Sequence, residues 1–406
     1  MASPLRNALR LTVIAALAAA AGARPSPACT TAVASGRATA NGRPLLWKNR
    51  DADNKQNQVI YDSSGRIPFL GVVNSADAAG LEIWAGVNAR GFAIENSASY
   101  NLEKGESVAE GQLMRLALQS CATVAEFQAL LERTNGGRDT TANFGVIDAA
   151  GGAAVFETGR KTFKRFDADD PAATPAGVVV RSNFSDSGDA DAGSGFLRRQ
   201  RAAALIGGLV GGKALTAATL LAGPGRDVAN ERIGSFPAKG IPAGAVWAYT
   251  ADSVCRFDTA SAVVFEGVRP GEDPLLATLW VIVGQPITGA GVPLWAFSAH
   301  VPAALAPSLK TSEMTKALDA VRTLFYPETR GELKKFVRVE ALAASDSGIE
   351  PRLLKTEAEN FRQAEAALAA WRNDAPTPQE VSCLQDRIAE RTLAAIRALA
   401  PQPAPR

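Results

Sequence analysis

The chain of 406 residues has one histidine, His300. A Ser-His-Asp hydrolase or a histidine-liganded zinc enzyme would have to work through that single ring. His300 ends "PLWAFSAH" and reads as a residue at the close of a strand, so a hydrolytic site here takes its proton shuttle from another group. Cysteine is nearly as scarce, with Cys29, Cys121, Cys255 and Cys383. If Cys29 is free the other three form at most one bridge, which excludes a disulfide scaffold. Charge of either sign is not in excess: 43 Lys and Arg stand against 41 Asp and Glu, with no long single-sign run. That balance excludes an extended nucleic-acid or anionic-membrane surface. The apolar run from Leu11 to Ala21 is too short to span a bilayer. At 47% hydrophobic residues the chain still has material for a sizeable core.

What is present begins at the N-terminus. Arg6 and Arg10 precede the uncharged run, and two small-residue cleavage sites follow, Ala21-Gly22-Ala23 and Ser26-Pro27-Ala28. Residues 1–28 thus have the form of an export signal, and the expected location is secreted or periplasmic. A cut at the second site makes Cys29 the first residue of the mature chain. A cut at the first would leave Arg24 to Ala28 for autocatalytic removal. The other reading of Cys29 is a lipidated cysteine, but that signal prefers Leu three residues earlier, where Ser26 stands, and an adjoining apolar run, which Arg24 interrupts.

From Cys29 to 307 the pattern is strands with turn punctuation, broken by helical pairs. "TTAVAS" and "PLLWK" flank Asn41-Gly42, a turn signal that predicts paired strands from Cys29 to Asp51. "LEIWAGVN" pairs with "GFAIEN", and "NFGVIDAAGGAAVFETG" is a hairpin with its tip at Ala-Ala-Gly-Gly. Apolar spacings of three and four predict helices in "SVAEGQLMRLALQSC", "TVAEFQALLERT" and "GFLRRQRAAALIGGL". Late strands are predicted in "ASAVVFEGV", "LLATLWVIVGQ" and "PLWAFSA". Hairpins segregated from helical pairs give an α+β class, antiparallel sheet covered by helices. Residues 308–406 read as a helical C-terminal extension without β pattern, ending in the disordered tail "PQPAPR". Trp47, Trp84, Trp247, Trp280 and Trp295 are expected in the core, and Cys255 as a small apolar filler.

An N-terminal cysteine needs no histidine. Its thiol is the nucleophile, and its own α-amine, with a pKa near ~8, is within reach as the base. A basic neighbour must lower the thiol pKa and an acid must orient the amine. "WKNRDAD" offers Lys48, Arg50, Asp51 and Asp53 on the strand opposite Cys29.

With Cys29-Thr30-Thr31 followed by Asn49-Arg50-Asp51, "AGVNARGFAIENSAS", "RSNF" and "LRRQRAAALI", the chain resembles the linear amide C–N hydrolases of the N-terminal-nucleophile (Ntn) superfamily. These include choloylglycine hydrolases, penicillin V acylases and the relatives of acyl-coenzyme A:6-aminopenicillanic acid acyltransferase, the C45 peptidases. The resemblance covers most of 29–300 and implies a four-layer αββα sandwich of antiparallel sheets. It implies Cys29 as nucleophile, Asp51 fixing the α-amine, Asn183 holding the amine or the oxyanion, Asn96 as oxyanion donor, and Arg198 as the arginine near the thiol. Relatives commonly have Arg where Lys48 stands, while Arg50 lies inside the triplet; aligning on Arg50 would move the acid's role to Asp53. Asn96 comes two residues early, and Arg199 and Arg201 compete with Arg198. The implied chemistry is attack on a small-molecule acyl amide, through a Cys29 thioester, with no cofactor or metal. Water would complete a hydrolase and a second amine an acyltransferase. A dipeptidase of a related N-terminal-cysteine family, and a non-catalytic protein lipidated at Cys29, are the alternatives.

Overall fold

The computed structural model describes residues 28–401 except 78, 104–108, 139, 230–246, 308–310 and 343–347. The segment 1–27, nearly all of the export signal, and all of the tail but Pro401 lie outside the described residues.

The Asn41-Gly42 turn sets the first register. Gly42 takes φ +75°, which a side chain would resist. The chain then returns so that β1 (Cys29–Ala34) and β2 (Leu45–Asp51) pair antiparallel with Cys29 opposite Arg50. Seven strands follow as one antiparallel meander in chain order: β3 (Asn57–Asp62), β4 (Phe69–Asn74), β5 (Ala85–Asn88), β6 (Ala93–Ala98), β7 (Ala142–Ile147), β8 (Ala153–Thr158) and β9 (Phe163–Asp167). The remaining strands are β10 (Val178–Arg181), β11 (Trp247–Tyr249), β12 (Thr259–Glu266), β13 (Thr278–Ile282), β14 (Val292–Leu294) and β15 (Phe336–Arg338). A second sheet has the order β10-β1-β2-β12-β13-β14, which places β1 and β2 inside it. The described helices are α1 (Glu110–Ser120), α2 (Val124–Thr134), α3 (Phe196–Gly211), α4 (Ala217–Ala222), α5 (Glu313–Phe325), α6 (Ile349–Trp371) and α7 (Pro378–Arg397). Capping boxes start α2 at Thr123 with Glu126 and α7 at Thr377 with Glu380.

The two sheets face each other across a close gap. A Cβ added to Gly145 on β7 would come within 2.9 Å of both Leu46 and Val33 of the opposite sheet, so only glycine lets them approach. Helix α1 covers β5 and β6, while α4, α6 and α7 cover the other sheet. The result is the expected αββα sandwich. Phe127 of α2 sits among Phe92, Phe144 and Phe156, with ring centroids 5.2 to 6.2 Å apart, and fixes the helix layer on the seven-stranded sheet.

Two expectations are corrected. The region after 307 holds a strand, β15, because Phe336–Arg338 pairs with β11 in a separate two-stranded ribbon. Trp247, on that ribbon, is 40% exposed rather than in the core, whereas Trp47, Trp280 and Trp295 are buried. The four cysteines are all free, with Cys255 buried as a filler.

The C-terminal helices are tied to the core by a buried ion pair. Arg226 donates to both Glu357 oxygens on α6, at 2.7 and 2.8 Å, and to the carbonyls of Leu221, Pro286 and Gly289. Glu357 also accepts from Gly291 N at 2.7 Å. Removing one partner of such a pair strands the other charge. Glu357→Ala is therefore expected to cost about 3 kcal/mol of stability, read as a lowered midpoint in urea unfolding; an unchanged midpoint would show the pair to be idle.

Candidate active site

A strand alternates its side chains, and in β2 this alternation sorts the charged residues into two groups. Leu46 faces the seven-stranded sheet, so Lys48 and Arg50 lie on that side, as does Cys29 through its pairing with Arg50. Trp47, Asn49 and Asp51 lie on the helix side, where Asn49 donates to the carbonyls of Gly225 and Val254. The thiol and the acid are thus on opposite faces of one hairpin.

On the helix side the groups converge on the backbone of Cys29. Its N–H donates to Asn183 Oδ1 at 3.0 Å, and Arg198 donates to Cys29 O at 2.8 Å, Thr30 Oγ1 at 3.1 Å and Asn183 Oδ1 at 2.8 Å. Asn183 is held in turn by donating Nδ2 to Ala98 O at 3.0 Å. Asp51 accepts from Thr259 Oγ1 at 2.7 Å and has Arg198 at 3.6 Å and Arg256 at 3.8 Å. The Asp51 N–H donates to Ala28 O at 2.7 Å. Burial, and then Asp258, push the Asp51 carboxyl up to about 7 against the pull of Arg256, Arg198 and the Thr259 hydroxyl.

On the sheet side the thiol of Cys29 lies between strands. Burial raises its pKa and Asp51 adds to this, while Lys48, the Asp51 N–H and Arg50 pull it down. Lys48 Nζ donates to Asn96 Oδ1 at 2.6 Å and to Trp84 O at 2.8 Å. Arg50 stacks on Trp84 at 4.5 Å and donates to Asn57 Oδ1 at 2.8 Å; burial brings it down to about 10. Lys48, Arg50, Trp84 and Ser261, with Val72, Ala85 and Val263, line a gap too narrow to hold a water molecule.

Of the predicted residues, Cys29, Arg50, Asp51, Asn96, Asn183 and Arg198 all fall in this cluster. Asp53 is exposed beyond the end of β2 and stands outside it. Arg199 pairs with Asp186, and Arg201 with Asp227 at 2.7 Å, so neither competitor of Arg198 reaches Cys29. His300 pairs with Asp386 of α7 at 2.8 Å and makes no bond to the cluster. Thr259, Arg256 and Glu95 are members that sequence reasoning missed. Thr259 and Arg256 reach Asp51 through the pairing of β12 with β2, a contact across 208 residues that no local motif signals.

Part of the chain is similar to a known family. Residues 37–179 match the model of the acyl-coenzyme A:6-aminopenicillanic acid acyl-transferase family. The resemblance to this family is borne out over the matched stretch, which contains "NRD" but not "CTT". The matched stretch contains Asp51 and Asn96; Cys29, Asn183 and Arg198 lie just outside it. No curated protein sequence matches the chain. Among solved structures, similar chains include a Caenorhabditis elegans ortholog of N-acylethanolamine-hydrolyzing acid amidase, 17% identical over 45% of this chain and 79% of that one, TM-score 0.34. A variant of conjugated bile acid hydrolase from Clostridium perfringens is 12% identical, covering 63% and 89%, TM-score 0.34. Penicillin V acylase from Agrobacterium tumefaciens is 12% identical, covering 66% and 85%, TM-score 0.34.

Proposed function

We propose that the chain is an exported N-terminal-cysteine amidohydrolase or acyltransferase acting on small-molecule acyl amides. The observation that carries this is the convergence of Asn183 and Arg198 on the backbone of Cys29, with Asp51 beside Arg198 and with Lys48 and Arg50 on the thiol side. Satisfying a buried peptide group takes one partner; here two side chains hold one residue from the helix side while cations approach its sulfur from the other.

In the described chain Ala28 still precedes Cys29, and a peptide nitrogen has no basic lone pair. Cleavage of that bond converts it to an α-amine, held where Asn183 Oδ1 now accepts from the N–H. The amine then takes the thiol proton. The sulfur forms a bond to the amide carbon, the tetrahedral oxyanion is stabilised by Asn96 Nδ2, and the amine passes its proton to the leaving nitrogen as the C–N bond breaks. A Cys29 thioester remains for water or a second amine to resolve. The Ala28 side of the bond is only 7% exposed, so in the folded chain it is shielded from an external peptidase. Export processing would therefore act before folding, or Cys29 would cut the bond itself. Burial of Cys29 at 6% weighs against a lipid anchor there.

The test is intact mass and N-terminal sequencing of the protein expressed with its leader, followed by a panel of N-acyl amino acids, lactam side-chain amides and dipeptides. A mature chain beginning at unmodified Cys29 that turns over acyl amides is expected. A lipid-bearing Cys29, a start that never reaches Cys29, or turnover of dipeptides alone would overturn this reading.

A further inference from the structure

Asn183 holds the nitrogen of Cys29, yet the sheet does not hold Asn183. Strand β10 ends at Arg181, opposite Thr31, and past it the pairing continues only as an isolated bridge from Asn183 to Ser194. A row of polar side chains on the opposing sheet takes over. Asn143 of β7 shares the parity of Gly145 and so the face turned toward that segment's sheet. Its cross-strand partners, Ser97 on β6 and Glu157 on β8, share the face, and all three are buried, Asn143 at 1% exposed.

Between them these three side chains bind the chain from 181 to 187. Ser97 Oγ donates to Ser182 O at 2.7 Å. Asn143 Nδ2 donates to Ser182 O at 3.1 Å and to Phe184 O at 3.2 Å, while its Oδ1 accepts from Ser185 Oγ at 2.6 Å. Glu157 accepts from Arg181 Nε at 2.7 Å, Asp186 N at 2.6 Å and Ser187 N at 2.7 Å. We infer that Asn143 is a positioning residue for the reaction proposed above, a reading on which this inference rests: it grips the carbonyls on either side of Asn183 and so sets where Asn183 Oδ1 meets the α-amine of Cys29.

The donor chemistry allows one arrangement. With its oxygen committed to the Ser185 hydroxyl, the Asn143 carboxamide must turn Nδ2 to the two carbonyls, and no apolar side chain of that size can replace it. Asn183 in turn has little freedom of its own. Its short side chain must reach Ala98 O with Nδ2 at 3.0 Å while Oδ1 meets Cys29 N at 3.0 Å and Arg198 at 2.8 Å. Those partners have different supports: Ala98 ends β6 of the seven-stranded sheet, and Cys29 begins β1 of the other. All three bonds can form only if the backbone at Asn183 is fixed against both sheets, and Asn143 fixes it from the seven-stranded side.

The experiment compares wild type, Asn143→Ala, Asn183→Ala, the double variant and Ser97→Ala, all matured to Cys29. Two quantities are read: kcat and KM on an acyl amide, and the titration of the Cys29 α-amine by NMR on protein carrying isotopically labelled cysteine nitrogen. Asn143→Ala is expected to lower kcat by about 100-fold, the scale of a misplaced catalytic contact, with KM within about threefold. A carboxamide oxygen that accepts from the amine favours its charged form. The amine midpoint should therefore move to lower pH in Asn143→Ala, as in Asn183→Ala, and the double variant should have the kcat of Asn183→Ala alone, because a residue that acts through another adds nothing once that other is gone. Ser97→Ala removes one bond of the row and should move the midpoint the same way by less. Losses that multiply in the double variant, or an amine midpoint unmoved in Asn143→Ala, or in Ser97→Ala where Asn143→Ala does not fold, would overturn the inference. Turnover by Cys29→Ala would instead overturn the reading of the reaction, and the amine titration needs no substrate, so the two failures are distinguishable.

Discussion

Cys29→Ala is expected to lower kcat on the acyl amide by about 10⁴-fold or more, the scale on which removal of a catalytic nucleophile acts. The fold should remain. The replaced atom is one sulfur at the end of β1, and the loss of its packing should cost about 1 kcal/mol, since the hairpin register, the Arg198 bonds to Cys29 O and Thr30, and the Asn183 bond to the peptide nitrogen involve no side-chain atom of Cys29. Activity and urea midpoint measured on one preparation separate the two effects. Turnover near the parent value would remove the proposed nucleophile outright. The same variant separates the two routes of maturation. If Cys29 cuts its own bond to Ala28, the alanine protein keeps Ala28 and the residues before it. If a peptidase cuts before folding, the mass of the variant shows a chain that begins at the substituted residue, just as the parent begins at Cys29.

The candidate site was legible where chemistry and turn signals are local. Asn41-Gly42 predicts the hairpin, and the hairpin puts Arg50 opposite Cys29. The choice between Asp51 and Asp53 is not local, since both have the parity that places them on the same side of an extended chain. It is decided because β2 ends at Asp51, with Thr259 of β12 beside it, and Asp53 falls in the exposed turn. Arg198, Arg199 and Arg201 are alike in sequence, but a helix turns about 100° per residue, and one of the three is aimed at Thr30 while the others meet Asp186 and Asp227. Strands β3 and β4 give little pattern because Asn57–Asp62 and Phe69–Asn74 are buried on both faces, which erases the alternation that marks a half-exposed strand. Strand β9 is lost for the opposite reason: at the sheet edge, "FKRFD" is partly exposed throughout.

Asp51→Asn is expected to lower kcat by about 10³-fold, on the scale of losing the acid that orients a catalytic base, and to change the pH dependence in two directions. In the mature enzyme a carboxylate beside the α-amine favours the ammonium and so raises the pH at which the amine becomes a free base. Asparagine lacks that charge. The acid limb of kcat/KM should therefore move to lower pH in Asp51→Asn even as its plateau falls, and a limb that stays or moves up would argue that Asp51 does not face the amine. The uncut chain supplies the second sign. There Asp51 holds its proton to about 7, whereas an unfolded aspartate releases it near 3.8. Between those values the unfolded state has lost a proton that the folded state keeps, so stability falls as pH rises through the window. Asp51→Asn placed in the uncut Cys29→Ala chain should remove that part of the slope, seen as a smaller drop in urea midpoint between pH 5 and pH 8 than in Cys29→Ala alone. Cleavage sets an ammonium beside the carboxyl and lowers its pKa, so the mature chain should lose less stability over the same range. Equal slopes with and without Asp51 would mean that burial of this carboxyl imposes no strain for the new N-terminus to relieve, and the acid would then be left without its proposed partner.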